Sequence, residues 1–405
     1  MTKAIALAAL IPVAALSYPL DGAAKTGIRR LVGYKEKIKL PPGALLTSDR
    51  VKLHLAAFPS FDIAAETPRD PRLQKGLEAI FAKRDRSYSL ALLDITDPAH
   101  PRYAALREDV KRIPGSVGKL FVATGFFAAL ARAHSPVTER EAFLRDTVIE
   151  ASDFVHVDGK TVPFYDPAKK TLINRRLQTG DRFNLYEWLD HMLSQSSNAA
   201  AAETWKQTML LDRFPKQYPL PKAEIDRYFQ ETPKTELAAQ SLSVNEDALR
   251  AAGLNTDNLR IGTFFTRNGG RAVPGTASYA SPGELLRWLV KLEQGKIVDP
   301  WSSLEIKKLL YFSRPRYRYS SSPALSEAAV YFKSGSLFEC APEPGFQCGQ
   351  YRGNKLNLMH SVAIVESGAK VYLVALTSNV LKLNSAYEHQ TIGTLIERLI
   401  QAPGE

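Results

Sequence analysis

Histidine and cysteine are few in this chain and its charge is not clustered, and each shortage removes a class of function. The seven histidines, His54, His100, His134, His156, His191, His360 and His389, show neither H-x-H nor H-E-x-x-H spacing. The two cysteines, Cys340 and Cys348, fit no metal motif either, so neither a metal nor another cofactor is expected. The 53 Lys and Arg residues give a net charge of +11, yet they form no dense block interleaved with aromatics. Nucleic acid is therefore a poor partner, while a basic surface suits work beside an anionic cell envelope and equally serves solubility. Long apolar runs are also missing beyond the N-terminus, so no membrane span is expected once a leader is removed.

What is present begins with that leader. Met1-Thr2-Lys3 followed by the apolar stretch Ala4–Leu16, with small residues at Gly22 and Ala24, reads as a signal peptide over residues 1–24, cleaved near Ala24 or Ser17. The protein is accordingly expected outside the cytoplasm, secreted or periplasmic, and monomeric. In such a compartment Cys340 and Cys348, in a Pro/Gly-rich stretch, are candidates for a small loop-closing disulfide. With 405 residues and 45% hydrophobic content the chain can bury a large core.

Residues 25–68 carry extended pieces and breakers and have no assigned role. From Asp70-Pro71 the apolar residues Leu73, Leu77, Ile80 and Phe81 recur on one helical face, with Asp70 as cap. Tyr88–Ile95 reads as a buried strand. Ile113–Leu130 is apolar almost all round, the pattern of a helix buried in the middle of a domain. A second helix follows the cap Asn184, with Leu185, Trp188, Leu189 and Met192 in register, and a third follows Ser281-Pro282. Residues 207–280 show turn residues and no strong period. Ala328–Phe332, Leu358–Val365 and Val371–Leu376 read as strands, the last two joined as an antiparallel hairpin by Glu366–Lys370, and Ile392–Ile400 as a closing helix. Strands from both ends of the chain must then share one sheet. The expected architecture is α+β: an antiparallel sheet flanked by helices (69–112 plus 301–405) with an inserted all-α subdomain (113–300), and a cleft between them within one catalytic domain, 69–405.

Chemistry concentrates at the start of the central helix. Ser116 and Lys119 are three residues apart, so in a helix the hydroxyl and the amine share a face, and an ammonium placed there is either led to water or used. Ser367 and Lys370 repeat the spacing, but in a hairpin turn, where such residues are ordinary and exposed. Two further short motifs follow in order: Ser196-Ser197-Asn198, at the end of the helix begun by Asn184, and Lys333-Ser334-Gly335, at the end of a strand. Each has a decoy, Ser243-Val244-Asn245 and Lys25-Thr26-Gly27, that lacks this context.

In these three motifs the chain resembles the penicillin-recognising serine enzymes, class A β-lactamases and DD-peptidases, whose signatures are S-x-x-K, S-D-N and K-T-G. The resemblance covers about residues 70–402 and implies a β-lactamase/transpeptidase-like fold. It implies an exported serine hydrolase that forms an acyl-serine intermediate and hydrolyses a β-lactam or related peptide amide. The alternatives are a D-alanyl-D-alanine carboxypeptidase or endopeptidase acting on a peptidoglycan stem peptide, and a non-catalytic penicillin-binding sensor. By resemblance, Ser116 is the nucleophile, Lys119 its base, Ser196 the donor to the leaving nitrogen and Asn198 the holder of Lys119 and the substrate amide. Lys333 and Ser334 bind the substrate carboxylate, Ser116 and Ser336 offer the oxyanion amides, and Gly335 keeps the strand edge open. Two positions depart from the family: Ser197 replaces its Asp, and the carboxylate that activates the deacylating water has its best candidate in Glu231, with Glu236 behind it, in unfamiliar surroundings.

Overall fold

A computed structural model describes residues 20–64, 66–311 and 316–402. Its centre is a five-stranded sheet of β1 (Ser89–Asp94), β2 (Arg102–Leu106), β3 (Ala329–Glu339), β4 (Leu356–Ser367) and β5 (Lys370–Asn379). The order is β2-β1-β5-β4-β3 and every neighbouring pair is antiparallel, so the two ends of the chain meet at β1 and β5. Both faces of the sheet are buried, which is why its strands read as almost unbroken apolar runs. Alternate side chains divide between two cores. Leu90, Leu92, Phe332, Val374 and Leu376 face Leu73, Leu77, Ile392 and Ile396 of the flanking helices. Ala91, Leu93, Tyr331, Ile364 and Ala375 face the larger core that runs into the helical part.

In chain order the main helices are α1 (Arg29–Lys37), α2 (Pro71–Phe81), α3 (Lys119–Ala133), α4 (Leu185–Leu193), α5 (Asn198–Arg213), α6 (Lys222–Glu231), α7 (Lys234–Ala251), α8 (Pro282–Glu293), α9 (Pro300–Tyr311) and α10 (Ala386–Gln401). A 3-10 turn, Gly115–Gly118, leads into α3. Together they make a 19-residue helix long and apolar enough to cross a membrane, but 72% of its most apolar window is buried inside the fold, packed against α5 and α7. The expected caps form: Asp70 accepts from the Leu73 amide at 2.8 Å, Asn184 from Glu187 at 2.8 Å and Ser281 from Glu284 at 3.4 Å.

Three regions differ from the sequence reading. Residues 207–251 hold the end of α5 and all of α6 and α7. The end of α5 shows no polar stripe because that helix is buried nearly all round, including Glu203 and Lys206, whereas α6 buries only Phe229 and so offers little apolar pattern. The part between 113 and 300 is not all helical: it carries the short ladders Val148–Glu150 with Arg182–Asn184, Val162–Asp166 with Thr171–Arg175, and Leu259–Arg260 with Tyr279–Ala280. Helix α8, assigned by sequence to the inserted part, packs against β1 and β5 and belongs with the sheet.

Residues 25–68 are built into the body. Ile28, Leu31, Val51, Leu55 and Ile63 enter the larger core. Arg30 lies fully inside, with its guanidinium on the Asp190 carboxylate (Nη2 to Oδ1 2.6 Å) and on Ser194 Oγ at 2.8 Å. Arg29 pairs with Glu187 at 2.9 Å, so α4 is clamped from below by two ion pairs just before the second motif. Residues 1–19 of the expected leader lie outside the described residues, whereas 20–26 form a short turn and helix in which Asp21 accepts from Ser48 N at 3.0 Å. Cys340 and Cys348 form a disulfide, Cα to Cα 6.0 Å, in the loop between β3 and β4. Closing so short a loop contributes about 2–3 kcal/mol on a chain-entropy account.

Removing one partner of a buried ion pair strands the other charge without water. Asp190→Ala is therefore expected to lower the unfolding free energy by about 3–5 kcal/mol, measured by urea denaturation. A loss under ~1 kcal/mol, the range of an exposed pair, would mean that α1 is not docked as described.

Candidate active site

Three pieces of backbone meet at the site. The first is the Gly115–Gly118 turn, held to the sheet by His360, whose Nε2 lies 3.0 Å from the Ile113 carbonyl. Burial pushes the His360 imidazole down to about 4, so the ring is neutral and can donate this bond. The second is the reversal between α4 and α5, where Ser196 sits at φ +59°, a conformation that costs a non-glycine residue and is found at functional sites. The third is β3, whose Ser334, Gly335 and Ser336 pair with Ser361, His360 and Met359. The first and third approach closely. A Cβ on Gly335 would stand 2.2 Å from the Pro114 carbonyl oxygen, and one on Gly115, at φ +52°, would stand 3.0 Å from the Ser336 amide nitrogen. Gly335 is thus required by the packing of the turn on the strand. The expected reason, an edge kept open for substrate, is not the one the contacts give.

The Ser116 and Lys119 side chains meet as the three-residue spacing requires. Lys119 Nζ is 3.0 Å from Ser116 Oγ, 2.7 Å from the Ser196 carbonyl oxygen, 2.8 Å from Asn198 Oδ1 and 3.5 Å from Ser196 Oγ. Lys119 is wholly buried, with its Nζ 4.9 Å from the centre of the Phe265 ring. Burial first, then the positive charges of Lys160 and Lys333, pull its pKa well below the ordinary lysine value, against a smaller opposing pull from Asp158. A neutral amine has two N–H donors and one lone pair. The Ser196 carbonyl and the Asn198 amide oxygen can only accept, so they take the two donors, and the lone pair is left for the Ser116 hydroxyl.

Lys333 continues the array. Its Nζ is 2.8 Å from Ser196 Oγ and 3.1 Å from the Ser334 carbonyl, and burial, followed by Lys160 and Arg318, holds it well below the usual lysine range. Ser196 Oγ therefore stands between two lysine nitrogens. Ser334 Oγ bonds the Tyr317 hydroxyl at 2.7 Å, and Arg318 Nη1 donates to the Gly335 carbonyl at 2.7 Å. Lys160 is held down to about 8, by burial and then by Arg318.

The structure so gathers Ser116, Lys119, Ser196, Asn198, Lys333, Ser334, Gly335 and Ser336. It does not bring Glu231 to them. Glu231 is the exposed last residue of α6, and only Thr232-Pro233 separate it from α7, so no loop reaches the cleft. With Glu236 it lines a groove of about 570 Å³ with Phe214, Glu224 and Tyr228, among whose lining residues none of the cluster appears. The decoys lie apart as well. Ser367 Oγ bonds Glu397 at 2.7 Å in the β4–β5 turn, Ser243 Oγ bonds the Gln240 carbonyl within α7, and Lys25-Thr26-Gly27 ends a short N-terminal helix.

Sequence reasoning missed Asp158, Lys160, Phe265, Tyr317 and Arg318. Asp158-Gly159 marks a turn in the sequence, and nothing local reveals that its carboxylate is aimed at the start of α5. No candidate cluster for a metal occurs among the described residues.

A family model described as the β-lactamase enzyme family matches residues 72–402. Among solved structures the chain is similar to a β-lactamase from Sphaerobacter thermophilus DSM 20745, at 15% identity over 82% of this chain and 98% of that one, with TM-score 0.52. It is also similar to a β-lactamase from Burkholderia vietnamiensis, at 13% identity over 84% and 100%, with TM-score 0.51. At such identities the likeness is one of fold. No curated protein matches the chain. The family match takes in the whole Ser116–Lys119–Ser196–Lys333 array, and the chain accordingly belongs to the β-lactamase enzyme family of serine hydrolases.

Proposed function

We propose that the protein is an exported acyl-serine hydrolase that opens a β-lactam or a related peptide amide on Ser116. The observation that carries this reading is the contact of Ser116 Oγ with a buried Lys119 amine whose two N–H donors already have partners. The amine takes the hydroxyl proton as Oγ attacks the amide carbonyl, and the amides of Ser116 and Ser336 are offered to the developing oxyanion. When the C–N bond breaks, Ser196 gives its proton to the leaving nitrogen, and its position between Lys119 and Lys333 suits it to be reprotonated. Lys333 and Ser334 are the donors for a substrate carboxylate, and Arg318 and Lys160 beside them supply positive charge.

A second observation favours the D-alanyl-D-alanine peptidase among the readings. Asp158, the carboxylate whose charge acts on Lys119, is already engaged by Ser197 and three backbone amides, and Glu231 lines a groove apart from the array. With no free carboxylate placed beside the array among the described residues, deacylation of a penicilloyl-serine is slow, which suits an enzyme whose natural substrate is a peptide. The intact nucleophile, base and relay argue against a non-catalytic sensor. Export is supported by the N-terminal sequence and the Cys340–Cys348 disulfide. Docking of Asp21 on Ser48 favours cleavage near Ser17 over Ala24. One chain supplies the whole array, in keeping with a monomer.

Labelling by a fluorescent penicillin tests the reading. Ser116→Ala is expected to abolish the label, Ser367→Ala to leave it unchanged, and Lys119→Ala to slow it by at least about 100-fold; full labelling of Ser116→Ala would remove the assignment. The pH profile gives a separate check. Because Lys119 is depressed, the labelling rate should reach its plateau well below the ordinary lysine pKa and not climb toward it. Lys160→Gln removes a positive neighbour, so the Lys119 pKa rises and the acid limb moves to higher pH. An acid limb that stays in place, or moves down, contradicts the electrostatic account.

A further inference from the structure

The chain departs from its family at Ser197, and the geometry around that residue shows what replaces the missing carboxylate. Helix α5 begins at Asn198, and its first amides have no partners within the helix. Asp158 Oδ2 accepts from Asn198 N at 2.6 Å and Ala199 N at 2.9 Å. Ser197 Oγ accepts from Ala200 N at 3.1 Å and donates to the same Asp158 oxygen at 2.9 Å. The other oxygen, Oδ1, accepts from Lys160 N at 3.0 Å and closes the turn that carries it. Asp158 is buried, and a carboxylate in this place is favoured by the partial positive charge of the helix start. The turn is secured from outside by Asn268 N on the His156 carbonyl at 2.9 Å and by Thr266 Oγ1 on the Phe154 carbonyl at 2.6 Å.

The peptide that Asp158 grips also aims the catalytic array. Ser196 O and Asn198 Oδ1, the two acceptors that occupy the Lys119 donors, lie on either side of Ser197. Ser196 holds its left-handed backbone two residues before the first gripped amide, that of Asn198. We propose that Asp158 is a positioning residue of the acyl-transfer centre, supplying from outside the three motifs the carboxylate that S-D-N carries inside the second. Ser197 and Asp158 are then one choice: with a carboxylate arriving from residue 158, an Asp at 197 would set two like charges side by side within hydrogen-bond reach.

The inference rests on the acyl-transfer reading of Ser116, and a reciprocal experiment separates the two. Full-length parent, Asp158→Ala, Ser197→Asp and the double variant are compared for the second-order rate of labelling by a fluorescent penicillin, with thermal melting alongside. Asp158→Ala is expected to slow labelling on the order of 100-fold, as displacement of a catalytic group by ~1 Å does. Ser197→Asp alone should also slow it, and the double variant should recover at least about tenfold over Asp158→Ala, because one carboxylate again holds the helix start. A double variant no faster than Asp158→Ala, or an Asp158→Ala that labels at the parent rate, overturns the proposal. A role in folding alone would lower the melting temperature without this crossed pattern of rates. If Asp158→Ala does not fold, Asp158→Asn takes its place; its amide oxygen still accepts from the helix start, so a smaller slowing is expected, and failure of an added Ser197→Asp to speed it overturns the proposal. A parent that takes no label defeats the reading of Ser116, and crystal structures of the parent and the Asp158 variant then decide the proposal. It requires the 2.8 Å contact of Lys119 Nζ with Asn198 Oδ1 to open in the variant, and an unchanged contact overturns it.

Discussion

Burial without a carboxylate partner penalises an ammonium, and in this fold the amine whose chemistry depends on that penalty is Lys119. Water is excluded from it, Lys160 and Lys333 repel a proton from it, and two oxygens that can only accept are fixed on its N–H groups. Its lone pair is left to the nearer of two hydroxyls, that of Ser116 at 3.0 Å, with Ser196 Oγ standing farther off at 3.5 Å. The rest of the molecule serves that arrangement. An apolar helix carries the lysine into the interior, and a strand brings a second lysine to the far side of Ser196.

The precision required comes from close backbone approaches more than from any single strong bond. The turn before α3 is seated on β3, where Gly335 leaves room for the Pro114 carbonyl, and is pinned to β4 through neutral His360. The start of α5 is held by a carboxylate from a distant turn. The preceding helix α4 is braced by Arg29 and Arg30 from the N-terminal segment. A displacement in any of these three supports moves an acceptor away from Lys119, so stability and function are coupled here through geometry.

Much of this was legible because it obeys short periods. The alternation buried on both faces of the sheet, the stripe of Leu73, Leu77 and Phe81, and the caps Asp70, Asn184 and Ser281 are local rules that survive folding. The Ser116–Lys119 spacing is local too. What could not be read joins distant residues. Arg30 and Asp190 are 160 positions apart, and Asp158 meets Asn198 across 40. Helix α5 hides its period because polar Glu203 and Gln207 are buried as partners of each other, at 2.7 Å. Glu231 has only its place along the chain to recommend it, and the two-residue turn that closes α6 onto α7 leaves no loop to carry its carboxylate inward. Tyr317 and Arg318 reach the site from a segment with no motif at all.

The central claim is that Ser116 accepts the acyl group, and that among the described residues no carboxylate placed beside it is free to activate water for its release. Time-resolved mass spectrometry of the intact protein mixed with a small excess of penicillin G, followed by peptide mapping, tests both halves at once. The account predicts one added penicillin mass, located on the peptide containing Ser116, that forms promptly and persists long after acylation is complete. An adduct on another residue, or none with the penicillin left intact, would contradict the first half; prompt loss of the adduct with many turnovers of penicillin would contradict the second.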